Sequence, residues 1–320
     1  MHLTSSTWAR RLFPALCINL CLMTGLGACS SEDSADADAL AQPGTWKPVA
    51  MPDADIYIAK IRRVGAKEVW IGGDAASPVR QWNGTKWISH APSGLKGAYG
   101  IWGASSTDVW AAGEGGDVRR WNGSSWTAVN YGPQNSGDHL NDIWGSGPND
   151  VWIVGRSTML RWDGVKMTTT RLPVGLRLLA VWGSSPKDVW MVGMGGDIMH
   201  WDGSGWSSQR IDTQTDLHGV SGSGPNDVWV AGRGGLMMHW NGSAWTKVAS
   251  STPADIESVW AVSPKEAWSV AQGGTIQHWN GSTWSRHYTN TVGQLFSLTG
   301  TSANDVWAAG AQGRVLRLSR

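Results

Sequence analysis

The sequence predicts an all-β protein, a seven-bladed β-propeller with four strands per blade. Three observations carry this expectation. A Trp-centred unit recurs seven times, each copy divides into four strand-length pieces, and a lone fourth piece stands before the first copy while the last copy lacks one. The second Trp of each unit fixes the register at Trp70, Trp110, Trp152, Trp190, Trp229, Trp268 and Trp307. A period of about forty residues is the signature of a propeller or a solenoid.

The composition agrees with that reading. Among 320 residues there are 42 Gly and 24 Trp but only 4 Tyr and 2 Phe, and 26 basic side chains nearly balance 25 acidic ones. A formal charge of +1 offers no basic footprint, so nucleic acid is not an expected partner. With 41% hydrophobic and 16% charged residues the chain is neither disordered nor a coiled coil.

Residues 1–28 read as an export signal. Arg10 and Arg11 precede an apolar run, 12–26, that is too short for an ordinary spanning helix and is followed by small residues. Leu26-Gly27-Ala28-Cys29 resembles a bacterial lipobox. The resemblance implies cleavage before Cys29, a lipid on its thiol and, with Ser30 next to it, an outer-membrane location in a diderm bacterium. Cys17 and Cys21 fall in the removed segment, so no disulfide is expected within the mature chain. Residues 29–43 supply the lipidated Cys29 and a small, acidic, aromatic-free stretch that reads as a flexible linker.

The propeller is expected over 44–320. Each unit gives one strand ending at Ile-Trp-Gly, one carrying Asp-Val-Trp, one ending at His-Trp or Arg-Trp, and one opening on the last Trp. The final copy stops after three strands, and residues 44–49, GTWKPV, match the missing fourth. The N-terminal strand is therefore expected to complete the last blade. A ring closed this way removes the exposed sheet edges that an open solenoid would have to cap.

What every blade repeats reads as scaffold. The Trp columns read as packing between blades, where each buried indole removes roughly 200 Å² from water and contributes at most on the order of 5 kcal/mol. Asn83-Gly84, Asn122-Gly123, Asp163-Gly164, Asp202-Gly203, Asn241-Gly242 and Asn280-Gly281 read as two-residue hairpin turns with positive φ. An acid precedes each second-strand Val-Trp or Ala-Trp (Glu68, Asp108, Asp150, Asp188, Asp227, Glu266, Asp305). Opposite it stands Gln81, Arg120, Arg161, His200, His239, His278 or Arg317, which predicts a repeated cross-strand pair. His200, His239 and His278 sit on different blades and cannot meet at the ~2.0–2.1 Å that Zn²⁺ requires.

These Trp-rich units resemble the Asp-box or BNR-type repeats of sialidase-like proteins and, less closely, tectonin-type lectin repeats. The resemblance spans 44–320 and implies the propeller fold. The Asp-box places its Asp five residues before a Trp, whereas here Asn122 stands four before Trp126, which keeps the turn role.

What one blade does differently is the candidate for function. The second-to-third-strand turns carry Asp74, Glu114, Arg156, Met194, Arg233, Gln272 and Gln312; the first strands open on Ala59, Tyr99, Asn141, Leu179, His218, Glu257 and Phe296. Among them Glu114, Arg156, Arg233, His218 and Glu257 are the ligand-binding candidates, polar groups ringing one mouth of the ring. No P-loop, nucleophile elbow or Cys/His metal spacing occurs, and neither cofactor nor metal is expected. The expected protein is a monomeric, lipid-anchored binding module without catalysis, its partner a surface glycan or an envelope protein, its only membrane contact the N-terminal lipid. The alternative is a carbohydrate-active hydrolase or lyase.

Overall fold

The computed structural model describes residues 44–53, 55–74, 79–132, 138–287, 289 and 293–319. The expected export signal, Cys29 and the expected linker lie outside these residues. The chain divides into two units between Ala41 and Gln42, and all the described residues belong to the second.

That unit is a closed ring of seven four-stranded antiparallel sheets. Blades 1 to 7 begin at Ile58, Gly100, Leu140, Leu178, Leu217, Ile256 and Leu295. In blade 3, for example, Leu140–Gly147, Asp150–Gly155, Thr158–Trp162 and Met167–Arg171 pair in chain order from the centre outward. The first strands of neighbouring blades touch all the way round, blade 7 against blade 1 included. Blade 7 takes its outer strand from the N-terminus: Thr45–Pro48 pairs antiparallel with Val315–Ser319, Trp46 opposite Leu318. The expected closure is thus the observed one.

The Trp columns are the packing between blades. All seven second-strand indoles are at most 2% exposed. Each lies against the outer Trp residues of the next blade, as Trp190 does against Trp240 at 5.5 Å and Trp245 at 5.4 Å. At the seam Trp268 of blade 6 meets Trp46 edge-on at 5.6 Å. The repeated acid–base pair forms in six blades, among them Arg120 to Asp108 at 2.6 Å and His239 to Asp227 at 2.7 Å. The base also covers the Trp beside the acid: Arg161 stands 4.4 Å above Trp152, and His200 stacks on Trp190 at 3.9 Å. In blade 1 Gln81 takes the base position, and His90, bonded to Gln81 at 3.1 Å, stacks on Trp70 instead.

A second partnership links Trp of the innermost strands to a Gly on the first strand of the next blade. A β-carbon on Gly145, Gly183, Gly222 or Gly300 would come within 2.7 Å of Trp102, Trp144, Trp182 or Trp260 respectively. Where the Trp is replaced by Ser221 or Thr299, the next blade carries Ala261 or Arg63 instead of Gly, and the hydroxyl accepts that residue's backbone N–H.

The Asn-Gly and Asp-Gly turns depart from expectation in one respect. Only the Gly takes positive φ, +101° at Gly84 and +97° at Gly123. The preceding Asn contributes its side chain: Asn122 Oδ1 accepts the N–H groups of Ser124 and Ser125 and the Ser124 hydroxyl. The hydroxyl of each Asn-Gly-Ser/Thr sequence is thereby part of the turn. In blade 7 the positive φ of the upper turn falls on Gln312, +57°. Ala311, whose N–H bonds Gln294 O at 3.0 Å, is therefore the counterpart of Met194, which bonds Arg177 O at 3.0 Å. The turn position assigned to Gln312 from sequence belongs to Ala311.

Candidate functional site

The upper face carries the second-to-third-strand turns and the connections between blades. Six first strands start with the same β-bulge: two residues oppose one on the second strand, and the extra residue is Ala59, Asn141, Leu179, His218, Glu257 or Phe296. Tyr99 holds the corresponding place in blade 2, immediately before Gly100–Ser105. All seven are half-buried. A bulged residue drops out of the ladder and turns its side chain away from the sheet, so this backbone feature presents six different side chains at the mouth, with Tyr99 beside them.

His218 and Glu257, both sequence candidates, come together here. His218 Nδ1 lies 3.3 Å from Glu257 Oε2, and Gln272 Nε2 donates to Glu257 Oε1 at 2.9 Å. Two further candidates, Glu114 and Arg156, act on Tyr99. Burial and then the charges of Glu114 and Asp74 push the Tyr99 phenol above its ordinary value, with Arg156 opposing. Tyr57, packed on Phe296 at 4.8 Å, is raised by burial and then by Glu257, Tyr99 and Asp74. Both phenols are therefore neutral donors at ordinary pH. Glu114 is also fixed through its backbone by a bridge to His139.

Arg233, the fifth candidate, is engaged elsewhere. Its guanidinium lies 3.3 Å from Asp216 and 3.8 Å from Asp255. The same two carboxylates accept the N–H groups of Gly195 and Gly234, so they staple the connections between blades to the Gly-rich turns. Arg233 remains exposed, but as part of this frame.

Below the mouth lies a buried charge cluster that sequence reasoning missed. Lys60 of blade 1 reaches Asp142 of blade 3 at 2.9 Å, and Arg62 approaches the same oxygen at 3.5 Å. The other oxygen accepts the Val181 N–H of blade 4 at 3.2 Å. Burial lowers the Lys60 amine, with Asp142 acting in the opposite sense. The bridge spans three blades because blade 2 contributes Gly100, where a β-carbon would stand 2.8 Å from Ile143. Nothing in the spacing of Lys60 and Asp142 signals this contact; the only hint is that both positions break the repeat with a charge.

Among the described residues, no three His, Cys, Asp or Glu side chains gather as a metal site requires. No described helix is long and apolar enough to cross a membrane. The mouth offers phenol, carboxylate, imidazole and amide groups beside one aromatic pair, a set suited to holding a polar ligand.

No protein-family model matches the chain, and no curated protein matches it in sequence. Solved structures do match in fold. YCF48 from Cyanidioschyzon merolae superposes with a TM-score of 0.71 at 16% identity, covering 86% of this chain and 99% of its own. A structure of YCF48 bound to D1 peptide gives 0.70 at 16% identity over 86% and 97%. A catalytically inactive virginiamycin B lyase from Staphylococcus aureus with quinupristin gives 0.76 at 15% identity over 86% and 99%. At these identities the likeness is one of fold alone. It agrees with the propeller expected from the repeats.

Proposed function

We propose that the chain is a binding module that holds a surface glycan or an envelope protein at the mouth of its upper face, without catalysis. The observation that carries this reading is the repeated bulge, a constant backbone that displays a different side chain from each of six blades. The named neighbours accord with it, since one was solved with a bound peptide. Attachment to the outer membrane through lipid on Cys29 belongs to the same proposal.

The test uses the full chain with Cys29→Ser, probed against a glycan array and purified envelope proteins. Changing Tyr99, Glu114 and Arg156 to Ala should abolish a specific hit while the melting temperature stays put. A hit that survives, and is lost only on altering the lower-face turns at Asn122 or Asn241, defeats the reading. Wild-type protein that incorporates no labelled fatty acid defeats the anchoring.

A second reading rests on the His218–Glu257 contact, an imidazole and a carboxylate placed to move a proton. A hydrolase or lyase at this mouth would turn over a sugar polymer, and Glu257→Gln would stop it. Binding without turnover, unaffected by that substitution, favours the module.

A further inference from the structure

Blade 3 and its connection to blade 4 form a groove of about 360 Å³ on the upper face, lined by Arg156, Arg171 and Arg177 and floored by Leu172 and Leu176. No acidic side chain lines it. All three arginines are exposed. Among the described residues none of their guanidinium groups makes an ion pair, unlike Arg120, Arg161, Arg233 and Arg317, which each have a carboxylate. The nearby acid Asp138 is 3% exposed and accepts the Ser157 N–H at 3.2 Å, so it is turned to the backbone.

The backbone beneath this groove is pinned. Arg156 N bonds His139 O at 3.0 Å, Arg177 O accepts Met194 N at 3.0 Å, and Arg171 ends a five-residue outer strand paired with Thr158. Between the last two, Leu176 N bonds Pro173 O at 3.1 Å across Gly175, whose φ is +96°. Positive φ at the third residue is the type II geometry. It lifts Val174 to full exposure, 108% of its reference area. An apolar tip is thus held out on a tight turn beside three guanidinium groups that face no carboxylate.

We infer that this groove takes an acidic peptide segment of a protein partner, with carboxylates on Arg156, Arg171 and Arg177 and an apolar side chain against Val174 and the leucine floor. Guanidinium forks match carboxylates two bonds at a time. The apolar lining decides between anions, since a polyanionic sugar has no side chain to place on it, whereas an acidic peptide carrying Leu or Val does. The inference deepens the proposed binding role of the upper face and rests on it; Arg156 joins the groove to the mouth.

The probe is a fluorescein-labelled peptide in which Glu alternates with Leu, titrated by anisotropy against the full chain with Cys29→Ser. The expected result is saturable, salt-sensitive binding that the Arg171→Ala/Arg177→Ala double variant weakens by at least about tenfold. Val174→Ser, or a peptide with Ser for Leu, should weaken it by about threefold or more. All three changed residues are exposed, and unchanged melting curves would verify that the fold is intact. Equal affinity of wild type and double variant, equal affinity of the Ser peptide, or stronger binding of a heparin oligosaccharide at the same arginines would overturn the inference. The variants leave Tyr99, Glu114 and Arg156 in place, so the groove can fail while the mouth reading stands.

Discussion

The indole of Trp102 in blade 2 lies where a β-carbon on Gly145 of blade 3 would have to be, 2.7 Å from its outer ring atom. Gly145→Ala should therefore destabilise the ring by about 1–3 kcal/mol through overpacking. Blades 5 and 6 carry the complementary solution, Ser221 followed by Ala261. Combining Gly145→Ala with Trp102→Ser should return part of the loss, read as a coupling of about 1 kcal/mol in a double-mutant cycle from urea unfolding. Strict additivity of the two single changes would contradict the partnership.

The seam between the chain ends makes a separate forecast. A chain beginning at Pro52 lacks the strand that pairs with Val315–Ser319 and loses the Trp46–Trp268 contact. It should aggregate or melt well below a chain beginning at Pro43. Trp46→Ala alone should cost about 3–5 kcal/mol. Identical melting temperatures for the two chains would rule out closure by the N-terminal strand.

Removing the carboxylate below the mouth strands a cation. Asp142 is 2% exposed and serves Lys60, Arg62 and two backbone N–H groups. Asp142→Ala should cost about 3–5 kcal/mol, because the charge left behind is buried and uncompensated. Lys60→Met should cost less, since Arg62 still faces the acid. The reverse ranking in denaturant unfolding would refute this division of roles.

Acid should loosen the fold in two stages. Burial against Trp70 lowers the His90 imidazole below its ordinary value, so the unfolded chain takes up that proton first, and stability falls as pH drops below about 6.5. Burial alone would raise Asp188 and Asp227, but hydrogen bonds from His200 and Ser184, and from His239 and Ser223, hold both carboxyls down. Their contribution is present above the unfolded carboxylate range near pH 4 and is lost as pH falls below it. His90→Phe should flatten the melting temperature between about pH 7 and 5.5 and leave the lower stage in place. An unchanged upper stage would exclude His90 as its source.

Much of this architecture is legible in the sequence because it repeats. Trp70 to Trp307 set the register, the Asp108–Arg120 kind of pair follows from strand alternation, and Trp46 announces its own vacancy in blade 7. Contacts between blades are harder to read. The Trp102–Gly145 fit joins residues in successive units, and Lys60–Asp142 skips a blade, so neither spacing is local. His218 and Glu257 are legible as breaks in the pattern, and they meet only because neighbouring bulges point to one mouth. Arg171 and Arg177 escape a reading by repeats because they end and follow the strand that opens on Met167 rather than Trp, where alignment to the other blades is weakest. The turn position assigned to Gln312 is off by one residue because its left-handed φ, normally a Gly property, leaves no mark in composition.

The bulged residues at the head of the first strands have a further consequence for how such a ring can change. Because each sits outside the ladder, replacing Ala59, Leu179 or Phe296 shifts no register and removes no second-strand Trp contact. A substitution there acts on whatever the mouth touches and leaves the second-strand Trp packing in place, whereas Asn141 also donates to Leu178 O of the next blade at 2.7 Å. Six sites of this kind around one opening would let selection retune recognition by single replacements while the blades beneath remain as they are.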